Sequence, residues 1–319
     1  MRKLIVALAA IACWAAPARA QNWPERPIRL IIPFPAGGPT DIVGRVLAQA
    51  MAESLGQTIV VDNRGGAGGV NGTDMVAKAA PDGYTIGLAS AGALAIAPAL
   101  QKVPYVWSRD LKPVTLVVKA PEMMVAPASL GVRTVPEFIA AAKAKAGGFN
   151  FGSTGAGSMS HLSSELFRTA AGLDMTHVPY PGAAPALNDL LPGRVQMLFL
   201  DIQVLRPHIE TGDLRALGVG GSSRFPQLPD VPTIAEQGLP GFEAANWYGL
   251  VAPAATPPAI IEKLNAAARG ALAAGPARAA LTNLGATIMG DGPEPFAAYI
   301  AAESEKWTRV VKASGAKLD

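Results

Sequence analysis

Phe34-Pro35-Ala36-Gly37-Gly38-Pro39-Thr40-Asp41 closes an apolar run from Ile28 to Ile32 and opens a helical pattern of Ile42, Val43, Val46, Leu47 and Met51. A strand, a glycine turn and a helix start, in that order, point backbone N–H groups outward. The helix dipole adds partial positive charge there, so the loop is a ready site for an anion. Gly37 and Gly38 permit close approach of the backbone to a bound molecule. The same residues also suit a plain tight turn in which Thr40 or Asp41 is the N-cap. Asp41 would repel an anion, which favours the capping role for it. The loop holds no good nucleophile and no metal-ligand set, so its chemistry is retention of a negatively charged small molecule.

Other segments carry similar chemistry. Asn63-Arg64-Gly65-Gly66-Ala67-Gly68-Gly69-Val70-Asn71-Gly72 follows an apolar run but fails as a nucleotide cradle. Gly66-x-Gly68 needs a glycine where Asn71 stands, and no Lys-Ser/Thr pair follows. It reads as a glycine-rich loop lining a cleft, or as a flexible turn. Gly152-Ser153-Thr154-Gly155-Ala156-Gly157-Ser158-Met159-Ser160-His161 offers hydroxyls and amides that suit carboxylate oxygens. It also suits a turn that merely caps the following helix. Ser158 or Ser160 with His161 admits a hydrolase reading, but the Gly-x-Ser-x-Gly elbow is absent. The three histidines, His161, His177 and His208, are scattered without zinc-site spacing. Tyr180 stands past the end of a short apolar run, suited to ligand contact or to core packing. Asp201 ends the run Met197-Leu198-Phe199-Leu200, where a carboxylate caps the next helix or meets a ligand's hydroxyl or positive group.

These segments must be positioned by an alternating array. Strands are predicted at 29–32, 58–61, 85–89, 123–125, 149–151, 175–178, 195–200, 214–219 and 248–251. Helices are predicted at 41–55, 71–79, 135–145, 161–171, 184–191 and 205–211, then 258–274, 276–284 and 295–314. That order is an α/β fold with mainly parallel strands and crossover helices. Anion-loop candidates in the first third and again mid-chain suggest two α/β lobes facing one cleft.

Residues 1–20 read as an export signal. Arg2 and Lys3 precede the short apolar stretch from Leu4 to Trp14, and Ala18-Arg19-Ala20 fits cleavage before Gln21. Cys13, the sole cysteine, lies within that segment in a poor lipobox, so the exported chain is expected to have no disulfide. The chain has 27 Lys+Arg against 24 Asp+Glu, and three of the basic residues belong to the signal. The exported chain is then formally neutral, and no basic stripe argues for nucleic acid.

Several long motifs in order resemble the periplasmic solute-binding proteins of tripartite tricarboxylate transporters, the Bug or tricarboxylate-binding family. They run from Trp23-Pro24-x-x-Pro27-Ile28 through Asp41, then Val60-Val61-Asp62-Asn63-Arg64-Gly65-Gly66-Ala67-Gly68-Gly69 and Pro81-Asp82-Gly83-Tyr84-Thr85. His177-Val178-Pro179-Tyr180-x-Gly182, Leu214-Arg215-Ala216-Leu217-Gly218-Val219, Pro229-Asp230-Val231-Pro232-Thr233 and Trp247-x-Gly249-Leu250-x-Ala252-Pro253 follow. The resemblance implies a type II periplasmic-binding fold. Lobe 1 is expected at 21–120 plus 247–319 and lobe 2 at 121–246. A hinge is expected near Ala120–Pro121 and Asn246–Trp247. It implies a periplasmic receptor for a small carboxylate, with membrane permease subunits as partners, no cofactor and no catalysis. First-lobe contacts would be Phe34, Gly37, Gly38 and Thr40, with Asn63, Ala67 and Gly68 nearby and Ser90 at a strand end. Second-lobe contacts would be Ser153, Thr154 and Ser158, with Tyr180 close by and Asp201 where ligand choice could be made. A ligand-sensing module for a signalling partner is the rival reading, and an exported serine hydrolase a third.

Overall fold

The computed structural model describes residues 23–145 and 147–314; the predicted signal segment, its cleavage site and Cys13 lie outside the described residues. Ten strands form, at Ile28–Ile32 (β1), Ile59–Asn63 (β2), Thr85–Ser90 (β3), Leu111–Pro127 (β4), Phe149–Ser153 (β5), Met175–Pro179 (β6), Met197–Asp201 (β7), Leu214–Val219 (β8), Ala245–Pro253 (β9) and Thr287–Ile288 (β10). β1 is buried at Ile28, Leu30, Ile31 and Ile32, as a strand covered on both faces by helices must be.

The strands make two sheets that share β4. The first runs β2-β1-β3-β9-β4, with β10 also on β4; the second joins β4 to β7, β5 and β6, with β8 also on β4. β1 pairs in parallel with β2 and β3, and β5 does so with β6 and β7. Every pairing of β4 and β9 is antiparallel. The expectation of mainly parallel strands is therefore corrected: parallel pairs flank an antiparallel centre. The cause is that β4 and β9 carry the chain between lobes in opposite directions.

β4 also corrects the short strand predicted at 123–125. It contains Pro113 and Pro121, which cannot donate to a ladder and normally mark edges or irregularities. Here register shifts between Pro113 and Thr115 and between Leu116 and Val118 absorb the irregularity. A buried helical stretch at Gly92–Ile96 and Ala97–Leu100 escapes the sequence reading for a different reason. It is apolar all round, so it shows no amphipathic period.

Helices Pro39–Leu55 and Pro258–Ala273 cover the first sheet, burying Val43, Leu47, Met51, Leu264 and Ala268. The C-terminal helix Pro293–Ser314 packs on β4 and on helix Met159–Ala171 of the second sheet. Its Glu303 is buried and accepts from two indole N–H groups, Trp247 at 3.2 Å and Trp307 at 3.0 Å. Phe296 of the same helix lies against β9 so closely that a methyl group on Gly249 would sit 2.0 Å from its ring.

Gly249→Ala is accordingly expected to destabilise the fold. Alanine normally improves on glycine in a strand, but overpacking against a fully buried ring costs about 1–3 kcal/mol. Urea unfolding followed by circular dichroism measures this; an unchanged or raised midpoint would contradict the packing.

Candidate ligand-binding site

The loops leaving β1, β5, β6 and β7 at their carboxyl ends meet across one cleft. Such ends are where open α/β sheets bind ligands. A cavity of about 60 Å³ lies there. Phe34, Gly38 and Thr40 line it from the β1 loop, Ser90 from the end of β3, Thr154, Ser158 and Ser160 from the β5 loop, and Gly182 and Ala183 from the β6 loop. Glu122 of β4, Asp201 of β7, and Asn246 and Tyr248 of β9 complete the wall. Among the described residues, no Lys, Arg or His lines it.

Four helices begin at this wall: Pro39–Leu55, Met159–Ala171, Ala183–Leu190 and, after Asp201, Ile202–Glu210. The N-caps of the first and third are Gly38 and Gly182, and no side chain caps either end. Their first-turn N–H groups, those of Pro39 and Pro185 being absent, have no competing side-chain cap, as anion retention requires. Ser158 caps the second helix, its Oγ accepting from the His161 N–H at 3.3 Å.

The β1 loop is braced from behind. Thr40 and Asp41 are not its N-cap but stand within the first turn. Asp41 Oδ2 accepts from the Gly37 N–H and from Arg45 Nε, both at 2.9 Å. Asn63 Nδ2 donates to Asp41 Oδ1 and to the Phe34 carbonyl, both at 2.9 Å. Burial alone would raise the Asp41 carboxyl, but the hydrogen bonds from Arg45, Gly37 and Asn63 outweigh it and hold the group below its ordinary value.

The structure thus gathers Phe34, Gly38, Thr40, Ser90, Thr154, Ser158 and Asp201 at the cavity and leaves the other expected residues behind it. Gly37 and Asn63 belong to the brace. Ser153 is buried with its Oγ 2.7 Å from His177 Nε2. Tyr180 donates its hydroxyl to Asp189 at 2.8 Å. Ala67 and Gly68 form the opposing rim: a methyl group on Gly68 would lie 2.8 Å from the Ala156 carbonyl oxygen, so the two glycine loops touch across the cleft.

His161 is buried and stacks on His177 with ring centroids 3.9 Å apart, and its Nδ1 accepts from the Gly157 N–H at 3.2 Å. Burial, helped by His177 and Arg168, pushes its pKa down to about 3. Ser160 Oγ accepts from the Thr154 N–H. Neither Ser158 nor Ser160 has its hydroxyl hydrogen-bonded to the His161 ring among the described residues. The ring props up the β5 loop.

Glu122, Asn246 and Tyr248 were not expected at the site. Glu122 and Asp201 are register partners of β4 and β7, both buried. Asp201 stands at the N-cap of helix Ile202–Glu210 but makes no capping bond; its Oδ2 accepts from the Tyr248 hydroxyl. Burial pushes Asp201 up to about 7, with Tyr248 opposing the shift. Burial and then the charge of Asp201 push Glu122 well above the carboxylate range. A lone acid inside the apolar run Val114–Pro127 was the available signal.

A family model described as the tripartite tricarboxylate transporter family receptor matches residues 43–316. The chain belongs to this family. Protein BugT of Bordetella pertussis is 42% identical over 306 residues, covering 95% of this chain and 94% of that protein. The structure of Rpa4515 from R. palustris with adipate superposes with a TM-score of 0.90 at 36% identity, over 93% of this chain and 100% of that one. The periplasmic binding protein BugD superposes at 0.88, also 36% identical, over 92% and 99%. The two-lobed fold of periplasmic binding proteins is thus the fold of this receptor.

The receptor's buried acids set a pH dependence. A carboxyl whose folded pKa is raised stabilises the fold fully below its unfolded value and loses that contribution as pH rises through the folded value. Unfolded, Glu122 would ionise near 4.5 and Asp201 near 3.8. The stability contributed by these two acids in the ligand-stripped protein should therefore be lost from pH 4 towards 8. Glu122→Gln should exceed the wild type at pH 8, with the difference closing near pH 4. Denaturant titrations across that range check it; a constant difference would contradict the assignment.

Proposed function

We propose that this chain is a periplasmic solute receptor that captures a small carboxylate between its lobes and delivers it to membrane permease subunits. One observation carries the reading: three of the four helix N-termini, two of them without side-chain caps, converge with the hydroxyls of Thr40, Ser90, Thr154 and Ser158 on a cavity lined by no cationic residue. Backbone dipoles and hydroxyls suit a carboxylate. Adipate in the Rpa4515 structure is a ligand of that class. In this reading the lobes comprise residues 21–120 with 247–319, and residues 121–246. Export follows cleavage after Ala20, and the protein neither turns over its ligand nor needs a cofactor. The weak basicity and buried setting of His161 count against the hydrolase alternative.

Refolded, ligand-stripped protein is screened by thermal shift against mono-, di- and tricarboxylates. A true ligand at about a hundredfold its Kd stabilises the folded state by ~2.7 kcal/mol, and one chemical class is expected to do so. Absence of any shift in folded protein would overturn the reading.

A further inference from the structure

The cavity wall has two parts of different charge. One is built from three helix N-termini and is positive. The other holds Glu122 and Asp201, facing each other across β4 and β7 with 1% and 0% of their surface exposed. Among the described residues, Glu122 Oε2, Asp201 Oδ1 and the buried Ser90 Oγ of the same wall have no hydrogen-bond partner. Two neighbouring donors, Tyr248 and Asn246, bond to one another and to Asp201, and both pull the Asp201 carboxyl down against its burial. The Tyr248 hydroxyl donates to Asp201 Oδ2, and Asn246 Nδ2 donates to the Tyr248 oxygen at 2.8 Å. Buried acceptors without donors are costly, and buried acids without a counter-charge more so.

We infer that the captured ligand is an amino carboxylate, with its carboxylate at the helix N-termini and its ammonium group between Glu122 and Asp201. This rests on the carboxylate-receptor reading and narrows it. An ammonium group brings three donors and a positive charge to a place offering unpartnered acceptors and two acids. A hydroxyl brings one donor and no charge. The second carboxylate of a plain diacid could be held there only while both acids keep their protons, whereas an ammonium group lets them ionise and pairs with the charge. The cavity volume admits roughly four to six water-sized groups, which fits a short chain.

The test is calorimetric titration of the full exported chain, ligand-stripped and refolded, with pairs that differ only in the amine: alanine and propanoate, 4-aminobutanoate and butanoate, aspartate and succinate. Adipate is added as a longer diacid. At least one amine-bearing member is expected to bind tenfold or more tighter than its partner. Glu122→Gln and Asp201→Asn, each checked for folding by circular dichroism, are expected to cut that preference by tenfold or more. The two variants are independent, so loss of one to misfolding leaves the other decisive. Diacids binding while no amine-bearing compound does would overturn the inference and leave the carboxylate reading standing. So would a preference that survives the folded variants. Failure of every carboxylate to bind would overturn both.

Discussion

The crossing of β4 and β9 between lobes constrains the rest of the molecule. β4 pairs with β9 as far as Pro121 opposite Ala245, and from Glu122 onward it pairs with β7. The hand-over is laced by backbone: the Gly220 N–H donates to the Glu122 carbonyl at 2.7 Å, the Ala244 N–H donates to the Gly220 carbonyl at 2.7 Å, and the Glu122 N–H donates to the Ala244 carbonyl at 3.1 Å. No side chain fits there, since a methyl group on Gly220 would lie 2.7 Å from one carbonyl oxygen and 2.8 Å from another. The residue that follows the last crossing pair is thus also the acid in the cavity wall.

An anion site without cations needs support of another kind. A charge at a helix end is worth about 0.3–1 kcal/mol when exposed, and three such ends fall well short of the ~8 kcal/mol of a micromolar complex. Charge-assisted hydrogen bonds, roughly 1.5–3 kcal/mol each, must supply the larger share, and they do so only when donors are fixed and water is excluded. That explains the side chains spent behind the wall. Asp41 and Asn63 tie the β1 loop to β2 and to Arg45. Ser153 holds His177, and His161 fills the space under the β5 loop. These residues touch no cavity surface, yet they set where the N–H groups point.

Much of this was readable in the chain. The strand–glycine–helix order at 28–55 located the first anion loop, and the Ser/Gly run before His161 located the second. Periodicity found β1, β3, β6 and β8 within one residue at each end, and β5 short by two at its carboxyl end. It failed where periodicity carries no contrast: in the all-apolar helix after β3, and in β4, whose prolines disguise a strand of 17 residues. Residues expected to touch ligand divide on the same ground. Gly38, Thr40 and Ser158 reach the cavity because a helix start leaves little choice of direction. Asn63 and Tyr180 face away because their polar groups found internal partners, and single-sequence reasoning cannot see a partner 29 residues distant. Glu122 went unnoticed because the strand predicted at 123–125 begins one residue past it.

The acid pair also bears on how closure is driven. In the arrangement described here the glycine loops meet and the two carboxyls are shut from solvent. Any opening of the cleft would return them to water, where their ionisation costs little. Closing over them without a donor leaves buried acceptors unsatisfied, an unfavourable change of at least ~1–3 kcal/mol for each such group. A ligand that supplies those donors removes a penalty that exists only in the closed arrangement. Its interaction energy therefore differs between the two arrangements, and such a difference is what a ligand must have to shift a conformational equilibrium at all. On this account the stability forfeited at Glu122 and Asp201 is the source of the bias that makes closure depend on the ligand.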